Sequence, residues 1–392
     1  MKRLLFIVIS LIFQVNVNAQ LSVDQVIQQV EANNLHLLSM KQLSEAEKLE
    51  NLTGLYPQNP EVGFNYLWSD PAVNGNRKDF SITQTFDFPS AYIHKSDIAD
   101  LRNTQSDTKY MNDRLKLRHE TRLVCIELIY INSSISENNR RIVNAQLVAD
   151  AYKLKFNSGD ANIIEYNKAQ LDLLNANKQA ETLQLEKDKL LLNLTRLNNG
   201  IPIEFNNTDY QVSVIDSDFE NWYKGVESKN LDLKWIQQEH DIIGKQVSLN
   251  SAMSLPKVSV GYMSENLPIE KFSGLTMGIT IPLFENKNIV KSSKARLSAL
   301  QSLQQDNKLT FYYEMKSKYN AAVRLAENVN NYRTNLNLFN NSELLKKTLD
   351  VGEISLLEYI LELSLYYDSL DQLLILEKEK NIADAELLQY IY

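Results

Sequence analysis

A segment of this sequence recurs about 196 residues further on. Asn34-Leu35-x-Leu37 returns as Asn230-Leu231-x-Leu233, Pro60-x-Val62 as Pro256-x-Val258, and Tyr66 as Tyr262. Gly159 with Ile163-Ile164-Glu165-Tyr166 returns as Gly352 with Leu356-Leu357-Glu358-Tyr359, at a spacing of 193. Solenoid repeats run 20 to 50 residues, so this period marks a duplicated module instead. Each copy reads as helix, short strand, loop, short strand and very long helical hairpin.

Proline and glycine set the hairpins. Pro57, Pro60, Pro71 and Pro89 surround the first strand pair, Pro256, Pro268 and Pro282 the second, and Pro202 stands alone between the copies. Residues 90–201 and 283–392 contain none. Proline lacks an N–H and clashes with the preceding turn, so both tracts are free to be helical throughout. Gly159 and Gly352 each lie 70 residues past the preceding proline, and each is followed by an acid, Asp160 or Glu353. Glycine after a helix end and an acid in the next first turn are stop and start signals. Each tract is therefore expected to be two antiparallel helices joined at its glycine. A helix of about 65 residues extends about 95–100 Å, far beyond the average of about 12 residues in globular proteins. Leu363, Tyr366, Leu370 and Leu373 step at coiled-coil spacing, as do Leu183, Leu190, Leu194 and Leu197. Such a narrow stripe needs neighbours along its whole length.

The strands alternate. Phe80, Ile82, Phe86 and Phe88 interleave with Ser81, Thr83, Thr85 and Asp87, and Leu275, Met277, Ile279, Ile281 and Leu283 with Thr276, Gly278 and Thr280. Val62, Phe64, Tyr66 and Trp68 do the same, and Val258, Val260 and Tyr262 more briefly. Period two with one apolar and one polar face suits a half-buried strand. The runs read as about 9–11 residues, the length of a tilted membrane strand. Polar turns are expected at 69–78 and 264–273. The copies fit an offset of 196 at Tyr66 and 197 at Ile82. A one-residue slip inside a strand would exchange its faces, so the gap is placed in the turn.

Lys2 and Arg3, the apolar run Leu4 to Phe13 broken only by Ser10, and Val17-Asn18-Ala19 form a secretion signal, with the mature chain from Gln20. The alternative is a retained signal anchor. No cysteine lies near the cleavage point, which speaks against a lipid-modified N-terminus. Without Lys2 and Arg3 the chain carries 39 basic against 49 acidic residues, a net of −10, which argues against nucleic acid as a partner. The single Cys125 lies in an apolar helical stretch and reads as a small buried residue. After Ala19 no run of 18 apolar residues exists, so no helix is expected to span a membrane; barrel strands would escape that test.

Four strands cannot close a barrel, and an open edge in lipid leaves N–H and C=O groups unpaired at several kcal/mol each. The smallest membrane barrels have about eight strands. If these strands enter a membrane, chains must share a barrel, and three chains give twelve strands. The same symmetry would bury each helix stripe against a neighbour.

Order, spacing and residues resemble the outer-membrane efflux channels of the TolC type. The resemblance covers essentially the whole mature chain. It rests on the duplication, the paired Pro-x-Val strand starts, Ile281-Pro282-Leu283-Phe284 and the two glycine turns. It implies a mainly α chain with a small β part. It further implies a homotrimer in which a long-helix periplasmic tunnel adjoins a shared 12-stranded transmembrane β-barrel. The expected organisation is a signal peptide at 1–19, a first structural repeat at 20–200, an inter-repeat segment at 201–220 and a second repeat at 221–392. The implied role is passage of substrates from a periplasmic adaptor and an inner-membrane pump, of RND type, across the outer membrane. Asn59-Pro60-Glu61 and Gln84-Thr85-Phe86 resemble the heavy-metal subgroup; drug efflux and type I secretion remain alternatives. From the same resemblance, Glu358 and its counterpart Glu165 are expected at the tunnel aperture. Three copies of Glu358 would form an acidic ring that favours cations; otherwise each is a solvated helix-start residue. Gly159, Asp160, Gly352 and Glu353 are expected at adaptor-contacting tips, or as plain turn-makers. Tyr66, Trp68 and Tyr262 are expected at the lipid–water boundary, or simply on an apolar strand face.

Catalytic constellations, cofactor motifs and metal sites are not read in the sequence: His36, His94, His119 and His240 show no ligand spacing with one another or with Cys125. The competing classes are a periplasmic adaptor, expected to carry one hairpin inside a glycine-rich β-domain rather than two in duplicate, and a secreted coiled-coil scaffold.

Overall fold

The computed structural model describes residues 21–70, 75–213, 215–284 and 286–391. The signal peptide at 1–19 lies outside them, as do Pro71 and Asn74 of the first strand turn. The repeated asparagine proves to be a helix cap. It divides the expected opening helix of each copy into two: α1 (Val23–Asn33) and α2 (Leu35–Asn51) in the first copy. Asn34 is extended, at φ −67° and ψ 116°, and its side chain accepts the Leu37 N–H at 2.8 Å. Strands β1 (Glu61–Leu67) and β2 (Arg77–Phe86) follow, then α3 (Pro89–Ser158) and α4 (Ile163–Leu197). α3 opens on proline, whose missing N–H costs nothing in a first turn.

The second copy repeats the plan with α5 (Phe219–Lys229), α6 (Leu231–Ala252), β3 (Lys257–Asn266) and β4 (Lys271–Thr280). Asn230, at φ −66° and ψ 114°, caps α6 through the N–H groups of Asp232 and Leu233. Its hairpin departs from expectation. It consists of three helices, α7 (Ile289–Leu338), α8 (Ser342–Asp350) and α9 (Leu356–Leu388), not two. The break falls at 339–341, where the Asn340 side chain accepts both the Ser342 N–H at 3.2 Å and its hydroxyl at 2.7 Å. Asparagine offers the chain a local alternative to the helical ladder.

The chain forms two compact units, each drawn from both copies. One comprises the described residues up to Ala32 with Thr121–Gln211 and Asn335–Lys378. Its core includes Ala149, Tyr152, Ala169, Leu349, Leu356, Tyr359 and Leu363. Within it Arg141 grips Asp371 with two hydrogen bonds, at 2.6 and 2.9 Å, and stacks on the Tyr367 ring. Residues 201–211, after α4, have no regular structure. Phe205 is fully buried, and Asn132 donates to the carbonyls of Phe205 and Asn207. Burial pushes the Cys125 thiol up to about 12, which leaves it inert.

The other unit comprises Asn33–Glu120, Val212–Thr334 and the described residues from Glu379 on. An aromatic cluster forms one core, with Trp222, Tyr223 and Val226 of α5 packed on Phe311, Met315 and Tyr319 of α7. Tyr223 meets Tyr312 edge-on at 5.0 Å, and the Tyr319 hydroxyl donates to the Asp216 carbonyl at 2.7 Å. This unit also holds the sheet, an antiparallel meander in the order β1-β2-β3-β4. β1 and β3 begin directly after Pro60 and Pro256, as the sequence suggests. β1 spans seven residues, fewer than expected, while the other three span ten. The second turn is much tighter than the polar stretch 264–273 suggests. Ser264, Glu265 and Asn266 pair with Ser273, Phe272 and Lys271, so only 267–270 turn, closed by Leu267 N–H to the Glu270 carbonyl at 2.8 Å. Among the described residues no helix is long and apolar enough to cross a membrane.

Candidate functional site

Cross-strand pairing assigns every strand residue to a face, because directly opposed residues of an antiparallel pair lie on the same side. Val62 faces Ile82, Ile82 faces Tyr262, and Tyr262 faces Leu275; Val260 faces Met277 and Val258 faces Ile279. These rows build one continuous apolar face across all four strands. It is open to the surroundings: Leu275, Met277 and Ile279 are 82, 83 and 71 % exposed. A patch of this extent is not a typical monomer surface.

The other face is polar and small. Glu61, Thr83, Gly261 and Thr276 form one row, and Gly63, Ser81, Met263 and Gly274 the next. This face is crowded. A Cβ at Gly261 would stand 2.5 Å from the Ile82 carbonyl oxygen and 2.8 Å from the Thr276 hydroxyl. At Gly63 and Gly278 only serine hydroxyls intrude, at 2.7 and 2.6 Å. The more exposed side is thus apolar and the more enclosed side polar, the reverse of a sheet that covers an oily core. Among the described residues neither the outer edge of β1 nor that of β4 has a ladder partner.

Tyr66 and Trp68 close the apolar face at the turn end of β1, edge-on at 5.4 Å. The Tyr66 hydroxyl accepts from Asn76 at 2.7 Å, and the Lys78 ammonium lies over its ring. Tyr262 sits instead midway along β3, between Ile82 and Leu275.

The glycine turns are built alike. Gly159 and Gly352 take φ of +85° and +78°, a region that suits glycine because no Cβ meets the following carbonyl. Asp160 N–H reaches back to the Lys155 carbonyl and Gly159 N–H to that of Phe156; Glu353 and Gly352 make the same pair with Thr348 and Leu349. Both are Schellman closures. Each following helix opens on a capping box. Asn162 accepts the Glu165 N–H while the Glu165 carboxylate accepts the Asn162 N–H, both at 3.0 Å. Ser355 and Glu358 reciprocate at 3.2 and 2.8 Å. These bonds from Ser355 hold the Glu358 carboxyl below the usual carboxylate range. The two expected aperture glutamates are thus helix-cap residues on their own chain. Both turns belong to one unit, and its core takes Ala149, Tyr152 and Ala169 beside the first turn and Leu349, Leu356 and Tyr359 beside the second.

Sequence reading passed over the capping partners Asn162 and Ser355, although the spacing Asn/Ser-x-x-Glu is a readable signature. It also passed over Arg77, Asp79 and Glu265, which the sheet brings together. Among the described residues no group of three or more His, Cys, Asp or Glu side chains could hold a metal ion.

The chain has the fold of outer-membrane channel proteins. CusC, whose crystal structures follow conformational changes accompanying folding and transmembrane channel formation, superposes with a TM-score of 0.77 at 13 % identity, over 94 % of this chain and 91 % of that one. The outer-membrane channel CmeC of Campylobacter jejuni gives 0.74 at 15 %, over 94 and 85 %. The outer-membrane protein VceC of Vibrio cholerae gives 0.77 at 10 %, over 94 and 95 %. The TolC-type architecture implied by the sequence, long helical hairpins with four strands per chain, is therefore the one observed. No family model matches the chain, and no curated protein does.

Proposed function

We propose that this protein is the outer-membrane channel of an efflux system and has no enzymatic role. The observation that carries the reading is the two-faced sheet: apolar and exposed on one side, polar and more enclosed on the other, with neither outer edge paired among the described residues. Closed in threes, such sheets give a twelve-stranded barrel with lipid outside and water inside, and every edge amide finds a partner. The fold shared with CusC, CmeC and VceC supports it. The strands then lie in the outer membrane and the long helices form a tunnel in the periplasm. Tyr66, Trp68 and Tyr262 meet outer-membrane lipid.

Gly159, Asp160, Gly352 and Glu353 are proposed as contacts for a periplasmic adaptor that links the channel to an inner-membrane pump of RND type. Three copies of Glu358, flanked by Glu165, are proposed to line the aperture. The proposed cargo is a heavy-metal cation. The support is the pair of short motifs around Pro60 and Gln84, which the fold brings together: the Gln84 side chain donates to the Gln58 carbonyl at 2.7 Å.

The processed protein, extracted in detergent, should run as a heat-sensitive trimer and conduct ions in planar bilayers. A folded, monodisperse, water-soluble monomer without detergent would overturn the channel reading. For the cargo, loss of the gene should sensitise cells to zinc, cadmium or copper. Sensitisation to drugs alone would replace the metal with drug efflux.

A further inference from the structure

We infer that the turn end of the strand barrel carries a charge filter formed by Arg77, Asp79 and Glu265. The inference rests on the channel reading above. All three residues belong to the polar face. One row of the sheet runs Asn65, Asp79, Glu265, Phe272, so the two carboxylates stand directly opposite each other on β2 and β3. Like charges so placed repel. Arg77, one pair nearer the turn on the same face, bonds both: its Nε donates to Asp79 at 2.7 Å, and its Nη2 lies 2.7 Å from Glu265. Asp79 is almost fully buried, while Arg77 and Glu265 stay part-open, at 39 and 29 % side-chain exposure.

Two carboxylates against one guanidinium leave each chain one negative charge at this level. Away from the turn, Ser81, Thr83 and Thr85 of β2 and Ser259 and Gly261 of β3 carry no charge. The next charge on this face is Glu61 of β1, opposite Thr83, and at the helix end Asp87 lies 3.0 Å from Lys95 and 3.9 Å from Lys257. The lumen wall of a trimer would thus hold a net negative ring near the strand turns and, nearer the helices, a second level of balanced charge from Glu61, Asp87, Lys95 and Lys257. Low-dielectric walls focus the field of such rings on passing ions. In this arrangement Arg77 sets the strength of the negative ring. It cancels one of two carboxylates and so limits how strongly cations are preferred over anions.

The sign pattern supplies the test. The intact trimer is reconstituted in planar bilayers under a potassium chloride gradient and its cation-over-anion permeability ratio measured. Glu265→Gln should lower the ratio and Arg77→Gln raise it, each by about two-fold at 0.1 M salt and less at 1 M, where screening shortens the reach of the ring. Arg77→Lys should keep the parental ratio. To change charge after assembly, Glu265→Cys channels are treated with positively or negatively charged thiosulfonate reagents. The buried Cys125 leaves little background. The positive adduct should lower the ratio and the negative adduct restore it. Conducting channels whose ratio ignores these charges would overturn the filter and leave the channel reading intact. Absence of conductance in the unsubstituted protein would overturn the channel reading itself.

Discussion

In the first copy α3 runs unbroken for 70 residues to Gly159; in the second, α7 stops at Leu338 and the nine-residue α8 completes the approach to Gly352. Beyond that break the turns share the two Schellman bonds and the reciprocal pair of the capping box. The burial beneath them does not repeat. Phe156 and Tyr166 of the first turn stack at 5.3 Å, with Phe156 still 38 % exposed. Their equivalents 193 positions later, Leu349 and Tyr359, lie inside the core at 9 and 2 %. Duplication has kept what the local backbone demands: a residue that tolerates positive φ, a cap and a carboxylate three residues on. It has not kept what tertiary packing decides.

Three changes bear on that contrast, in order of size. Leu349→Ala should cost about 2–3 kcal/mol as a core truncation, against about 1 kcal/mol for Phe156→Ala, which loses a half-open stack. Thermal unfolding followed by helical circular dichroism reads both, and equal losses would mean that the turns are packed alike. Next, Gly159→Val and Gly352→Val should each cost about 1–2 kcal/mol from backbone strain alone, since nothing lies within 4 Å of an added Cβ at either site. A marked inequality would show that the matching turn geometry conceals unequal strain.

Smallest in stability is Glu358→Gln, because glutamine also serves in a capping box. Its effect should fall on conduction, with cation preference reduced while unfolding is unchanged. Unaltered reversal potentials would remove the aperture ring and leave Glu358 as a cap. The pH dependence has a defined sign. The folded carboxyl lies below its ordinary value, so its cap contribution is present above the unfolded pKa of about 4.3. It disappears as pH falls through the lowered folded value.

Much of this was readable from proline and glycine. The interval from Pro89 to Gly159 fixed α3, and the alternation of Phe80, Ile82 and Phe86 fixed the apolar face. The break before α8 was not readable by that means, since its tract holds neither proline nor, until Gly352, glycine. The signal there was Asn340-Asn341, whose side chains compete with the helix locally. Asn34 and Asn230 were seen as a repeat, but not as the caps that divide each opening helix. The group Arg77, Asp79 and Glu265 could not be found at all without the fold. Asp79 and Glu265 are 186 positions apart and meet only through the β2–β3 register, which no short turn sets, since α3 to α6 lie between the two strands.

One core beneath both glycine turns has a consequence for dissection of the molecule. A cut anywhere in 201–220 would not release two working modules. It would release two fragments, each holding half of that core and half of a sheet whose inner pair, β2 with β3, crosses the cut. Their reassociation, rather than the refolding of either alone, would decide whether a split gene still makes a protein.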